Sequence, residues 1–160
     1  MGASYAMSPD VAELWKRVRE GHRDGHYYVA LFGLRKYDPL HLFDQIQHGL
    51  TYAAFVRFQR NSTLPQQVLA RAVDIPERTL ARRKESGRFE PGESDRLVRI
   101  SRIVARAIEL FEGNADDARQ WLTNPARALG GRTPIELAST DVGVIEVDNV
   151  IGRLEHGIPT

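Results

Sequence analysis

The 160-residue chain is 42% hydrophobic and 27% charged, the balance of a folded globule and not of a disordered segment. It has no cysteine, which excludes disulfides, thiolate nucleophiles and the usual zinc fingers and makes a reducing cytoplasm the expected location. Its formal charge of +1 hides an uneven distribution: residues 71–111 hold ten basic and seven acidic side chains, residues 112–160 four and eight. A middle of +3 suits a polyanion, and an end of −4 suits a different partner.

Met1 to Ser8 is rich in small residues and reads as a loose arm, with no signal peptide expected. Pro9-Asp10 opens a helix to about Glu20, with Val11, Leu14, Trp15 and Val18 on one stripe. His22 and His26 are four apart, as two metal ligands on one helix face would be. Gly21 and Gly25 argue against a rigid helix there, and no neighbouring cysteine or carboxylate completes a site, so loop histidines and no metal are expected. Tyr27 to Leu34 is the most apolar stretch, too short for the roughly 20 residues that span a bilayer. It fits a buried strand or a core helix, and periodicity does not choose between them; a self-association surface is the competing reading. Asp38-Pro39 starts another helix, with Leu42, Phe43 and Ile46 as a core stripe up to Gly49 and with His41 and His48 at the surface or edge. From Thr51 the next apolar face is Phe55, Val56 and Phe58.

Leu64 to Val73 reads as a helix in which Pro65 occupies the first turn, where its missing N–H needs no internal partner. Val73-Asp74-Ile75 is a tight turn, and a second helix restarts at Pro76 and runs through Lys84. Two short helices so joined, with Leu69, Val73, Ile75 and Leu80 inward, describe a helix-turn-helix. A glycine is common at such a turn; Asp74 replaces it, and Asp tolerates unusual backbone dihedrals. If the second helix enters a major groove, Arg78, Thr79 and Arg82 fall nearest base edges or phosphates, with Arg83, Lys84 and Arg88 as backbone contacts. A solvated basic face, opposed by Glu77 and Glu85, is the plainer alternative.

Pro91 to Asp95 initiates the strongest helix, whose Leu97, Ile100, Val104, Ile108 and Phe111 form one stripe. Arg99, Arg102 and Arg106 lie on the other side, as a solvated surface or as phosphate contacts, with Asp95 placed for a weak ion pair to Arg99. Glu112-Gly113-Asn114 ends it. Ala115 to Leu122 is then a short amphipathic helix with Trp121 in the core, and Asn124-Pro125 turns a corner. Pro134 to Leu137 makes one helical turn. Thr140 or Asp141 caps a last helix whose Val147, Val150, Ile151 and Leu154 share a face, and Gly157 closes it. Ile158-Pro159-Thr160 protrudes beyond the cap.

The order Trp121-Leu122, Asn124-Pro125, Leu129-Gly130-Gly131, Thr133-Pro134, Leu137, Thr140, Gly143, Val147, Leu154 and Gly157 resembles the toxin-binding domain of the Xre/MbcA/ParS antitoxin family. Upstream, roughly Leu64 to Phe111 resembles that family's helix-turn-helix portion. The resemblance implies an all-α fold: an N-terminal helical or oligomerisation segment (1–50), an Xre-like helix-turn-helix (51–113) and a toxin-binding domain (114–160). It also implies an antitoxin that covers the active-site entrance of a toxin, commonly a RES-domain enzyme consuming NAD, and that binds its own promoter as a dimer. Most of the matched residues are expected to be scaffold. Toxin contacts are expected from Arg132, Glu136, Asp148, Arg153, Glu155 and the tail Ile158, Pro159 and Thr160.

No nucleophile elbow, HExxH or paired carboxylates accompany the Ser and His residues, so no catalytic residue and no cofactor is expected. A helix-turn-helix regulator without a toxin partner is the alternative, and it leaves the Gly130-Gly131-Arg132-Thr133-Pro134 unit unexplained.

Overall fold

The structure is a computed structural model and describes residues 9–20, 26–34 and 37–160. The regular structure of those residues is helical, apart from one isolated antiparallel bridge between Thr51 and Arg88. Ten α-helices and one 3-10 turn follow one another: α1 Pro9–Arg19, α2 Tyr28–Leu31, α3 Pro39–His48, α4 Tyr52–Ser62, α5 Gln66–Ala72, α6 Glu77–Ser86, α7 Pro91–Leu110, α8 Ala115–Thr123, the 3-10 turn Arg127–Leu129, α9 Pro134–Leu137 and α10 Asp141–Glu155.

Helix α7 is the axis. The expected stripe is buried at Leu97, Ile100, Val104 and Ile108, and Val98, Ile103, Ala105 and Ala107 are buried as well. A helix apolar on more than one face must be covered from several sides. Here α2, α3, α4, α8 and α10 all pack against it. The result is one contiguous core running from Val11 and Trp15 to Val150 and Ile151.

The apolar stretch at Tyr27 is a helical turn, not a strand. Tyr27, Tyr28, Val29, Leu31 and Phe32 are all buried, so that stretch offers no self-association surface. Buried Asn61 donates its side-chain N–H to the Leu31 carbonyl at 3.1 Å, which satisfies both groups and fastens α4 to α2. The core stripe expected on α3 is corrected at one position: Leu42 is buried, but Phe43 is 57% exposed, beside Leu40 at 77%.

Local chemistry sets the helix ends. Asp38 accepts the Leu40 and His41 amides at the start of α3, Thr51 accepts the Ala54 amide for α4, and Asn114 accepts the Asp117 amide for α8. The turn between α5 and α6 places Asp74 at φ 53°, the left-handed conformation that its residue type tolerates.

Two close approaches need glycine. A Cβ on Gly49 would collide with the Phe89 carbonyl where the α3–α4 and α6–α7 connections cross. A Cβ on Gly143, inside α10, would collide with the Leu137 carbonyl at the end of α9. Gly152, also in α10, has nothing within 4 Å of the corresponding position. Gly143→Ala should therefore cost about 2–3 kcal/mol through forced displacement of α9. Gly152→Ala should gain up to about 1 kcal/mol from helix propensity. Urea unfolding of both variants measures the contrast.

Candidate functional site

Two surfaces carry the residues singled out from sequence. The first is α5–α6. Its turn is held by α7: Arg96 Nε donates to the Val73 carbonyl at 2.7 Å, and an Arg96 Nη2 donates to the Asp74 carbonyl at 3.5 Å. The far end of α6 is held by a forked pair, with Arg83 Nε donating to Glu93 Oε1 at 2.7 Å and Nη2 to Oε2 at 3.3 Å. Glu93 also accepts the Glu90 amide at 2.8 Å in the first turn of α7.

This geometry separates the six expected DNA contacts. Arg83, with 17% of its side chain exposed, is spent on Glu93. Arg88 Nη1 donates to the Gly49 carbonyl at 2.6 Å, across the crossing of the two connections. Arg78, Arg82 and Lys84 are exposed on α6 and have no ion pair among the described residues. Arg82 Nη2 donates to half-buried Thr79 Oγ1 at 3.3 Å, which braces its guanidinium outward. What α6 presents is Arg78 and Arg82 one turn apart on one face, with Lys84 on another, a narrower set than the basic run in the sequence.

Burial pushes the Glu93 carboxyl up. The Arg83 hydrogen bonds, the Glu90 amide and the charges of Arg83 and Arg96 outweigh that and hold it below its ordinary value of 4.5. The hydrogen bond to Glu93 correspondingly raises Arg83. A carboxyl depressed in the folded state adds stability above its unfolded pKa and loses it as pH falls through the folded one. Arg83→Ala should lower stability by about 2–3 kcal/mol at pH 7, since it leaves a buried carboxylate without its partner. In Glu93→Gln the loss of stability on acidification below about pH 4.5 should be visibly shallower. Denaturant melts between pH 7 and pH 3 give both quantities.

The second surface is the C-terminal unit. After α8, Asn124 Nδ2 donates to the Gln120 carbonyl at 2.6 Å, ending that helix. The Ala126 and Arg132 backbones then close a small loop at 3.0 Å around Gly130 and Gly131, whose φ values are 66° and 80°. Thr133 Oγ1 accepts the Glu136 amide at 3.2 Å, and the Glu136 carboxylate accepts the Thr133 amide at 3.0 Å, a reciprocal capping box. Those bonds hold the Glu136 carboxyl below its ordinary range. Thr140 caps α10 through the Gly143 amide, and Gly157 takes φ 67° at its end, both as expected.

The arginines of α7 are neither a solvated stripe nor phosphate contacts in the main. Arg99 bonds Asp95 at 3.2 Å and Asp141 at 2.9 Å; Arg106 bonds Asp148 at 2.8 Å and Glu155 at 3.0 Å. For Arg106, burial is outweighed by Asp148 and Glu155, and its pKa rises. Only Arg102 of the three stays exposed. Of the expected toxin contacts, Glu136, Asp148 and Glu155 are thus engaged within the chain, whereas Arg132, Arg153, Ile158, Pro159 and Thr160 are exposed. Trp121 is half-buried against Phe111, and with Arg127 and Thr160 it lines a groove of about 460 Å³.

Sequence reasoning missed Arg96, Arg99 and Arg106 as internal struts, because the pairing helices lie up to 49 residues away. It also missed Val142 and Ile145, which are 73% and 59% exposed. An i, i+3 apolar pair off the Val147–Leu154 stripe was the available signal. Among the described residues no group of three or more acidic or histidine side chains could hold a metal, and no helix is long and apolar enough to cross a membrane. His22 lies outside the described residues, and His26 stacks on Tyr37 at 3.8 Å.

Comparison with known proteins agrees with this division of surfaces. Residues 41–102 match the antitoxin Xre-like helix-turn-helix domain, and residues 106–157 match the antitoxin Xre/MbcA/ParS C-terminal toxin-binding domain. The chain is 38% identical over 118 residues to antitoxin Xre of Yersinia enterocolitica, covering 73% of this chain and 80% of that one. It is 37% identical over 119 residues to antitoxin Xre of Photorhabdus laumondii, covering 74% and 80%. A Prs ADP-ribosylating antitoxin of Sphingobium is 24% identical over 156 residues, 92% of this chain and 98% of that one. With its helix-turn-helix, its C-terminal toxin-binding domain and these relatives, the chain belongs to the Xre/MbcA/ParS family of antitoxins.

Proposed function

We propose that this antitoxin neutralises a RES-type, NAD-consuming toxin by covering its active-site entrance and, as a dimer, represses its own promoter through α6. The observation that carries the DNA half is the outward pair Arg78 and Arg82, one turn apart, with Lys84 exposed on another face, on a helix fixed at both ends by Arg96 and Glu93. A rigid presentation lowers the ordering cost of binding, and Arg grips a guanine edge with two donors. Two copies place two such helices on a two-fold operator.

The toxin half rests on the match of residues 106–157 to the toxin-binding domain and on the acidic excess of residues 112–160, part of which Arg99 and Arg106 neutralise; what is left suits the basic cleft that a dinucleotide enzyme needs. The Sphingobium relative carries ADP-ribosylation in its name, and that reaction consumes NAD. This supports an NAD-consuming partner for the present chain. The exposed tail Ile158-Pro159-Thr160 remains available to such a cleft, and exposed Arg132 and Arg153 to acidic groups outside it.

Co-expression with the neighbouring gene product tests the toxin half. Growth should be restored and cellular NAD preserved, and the two proteins should co-purify. An unchanged fall in NAD would contradict it and favour a regulator acting alone. For the DNA half, Arg78→Ala and Arg82→Ala should each cost about 1–3 kcal/mol of promoter affinity if they reach base edges. Lys84→Ala should lower the salt dependence, log K against log salt, by about 0.9 as one phosphate contact is lost. Fluorescence anisotropy with a labelled promoter fragment reads both effects.

A further inference from the structure

Three of the five charged residues that sequence nominates for the toxin also bond within the chain, and two of these, Glu136 and Asp148, stay exposed. The five large apolar side chains most exposed among the described residues are Leu40, Phe43, Val142, Ile145 and Ile158. Val142 and Ile145 stand one turn apart at the start of α10, inside the segment that matches the toxin-binding domain. Beside them a groove of about 280 Å³ runs over α7, apolar at Tyr28, Ile103, Val144 and Ile145 and charged at Arg102, Glu109 and the Arg106–Asp148 pair. The carboxylates nearby in sequence are Asp141, Glu146 and Asp148, all exposed.

We infer that the toxin anchors on the Val142–Ile145 ridge, setting one bulky apolar or aromatic side chain into the adjoining groove. This deepens the toxin-binding reading above and rests on it. A pair of large apolar side chains in open solvent marks an interaction surface, and anchors of this kind carry most of the energy of an interface. The occupant follows from the ridge's place in the segment that matches the toxin-binding domain. Asp141 and Asp148 are paired with Arg99 and Arg106, so exposed Glu146 and exposed Arg102 are the charges that such a partner meets beside its apolar contact. The Arg99–Asp141 and Arg106–Asp148 pairs give the ridge a fixed position, so the partner meets a preformed surface. Charge then governs the rate of encounter, and the ridge governs residence.

The test is the full chain carrying Val142→Ala and Ile145→Ala, with the toxin purified from the neighbouring gene as the probe. Both positions are exposed and alanine favours helices, so the melting temperature should be kept. Toxin affinity should fall about 30- to 300-fold, mostly through faster dissociation. Promoter binding and the mass of the free antitoxin should not change. Glu146→Gln should instead slow association at low salt and leave dissociation unaltered. Wild-type affinity in the double variant would overturn the anchor while leaving the toxin reading intact. A free antitoxin that loses its dimer in the variant would assign the ridge to a second copy, which also overturns it. Failure of the wild-type chain to bind that toxin would remove the reading on which the anchor rests.

Discussion

The twenty residues of α7 have to satisfy two neighbours at once. Glu93 and Arg96, near its start, hold the end of α6 and the turn before it; Arg99 and Arg106, further along, hold the start and later turns of α10. Between these polar ties, Leu97, Ile100, Val104 and Ile108 fill a core to which both units contribute. No linker intervenes. The nucleic-acid-binding and toxin-binding portions are two faces of one folded body, whose common interior is the burial of this helix.

This constraint explains why so many charged residues are internal in role. A long helix with several apolar faces cannot present a wide basic stripe to a ligand, because its neighbours occupy that space. Its arginines are drawn into forked or bridging pairs with carboxylates from the helices that cover it. Partly buried pairs of this kind contribute more to orientation than to net stability, since desolvation offsets much of their attraction. They fix where α6 and α10 point. Outside the pairs stand the exposed cations of α6 and the exposed apolar pair Val142 and Ile145 of α10.

Much of this was legible in the chain. Asp38-Pro39, Pro91 and Thr140 each mark a helix start in the sequence, and the structure begins a helix at each. Asp74 was readable as a left-handed turn residue and Gly157 as a terminal cap. What was not legible is long-range. Whether Arg83 faces a phosphate or Glu93 depends on how α6 lies across α7, and no local pattern encodes that angle. Phe43 looked like core because it adjoins Leu42 and shares its hydrophobicity, yet neighbouring helical positions point about 100° apart and one of the two must turn outward. Tyr27 to Leu34 is too short for either period to declare itself, and only its packing on α7 and α4 makes it helical.

Native-state hydrogen exchange across a urea series tests the single-core account most directly, by following the amides of α5–α6 and of α10 in the same sample. A shared interior requires both sets to open with the same free energy and the same denaturant dependence as global unfolding. If α10 opened in a separate transition, with α5, α6 and α7 still protected, the two units would be independent domains and the account would be wrong.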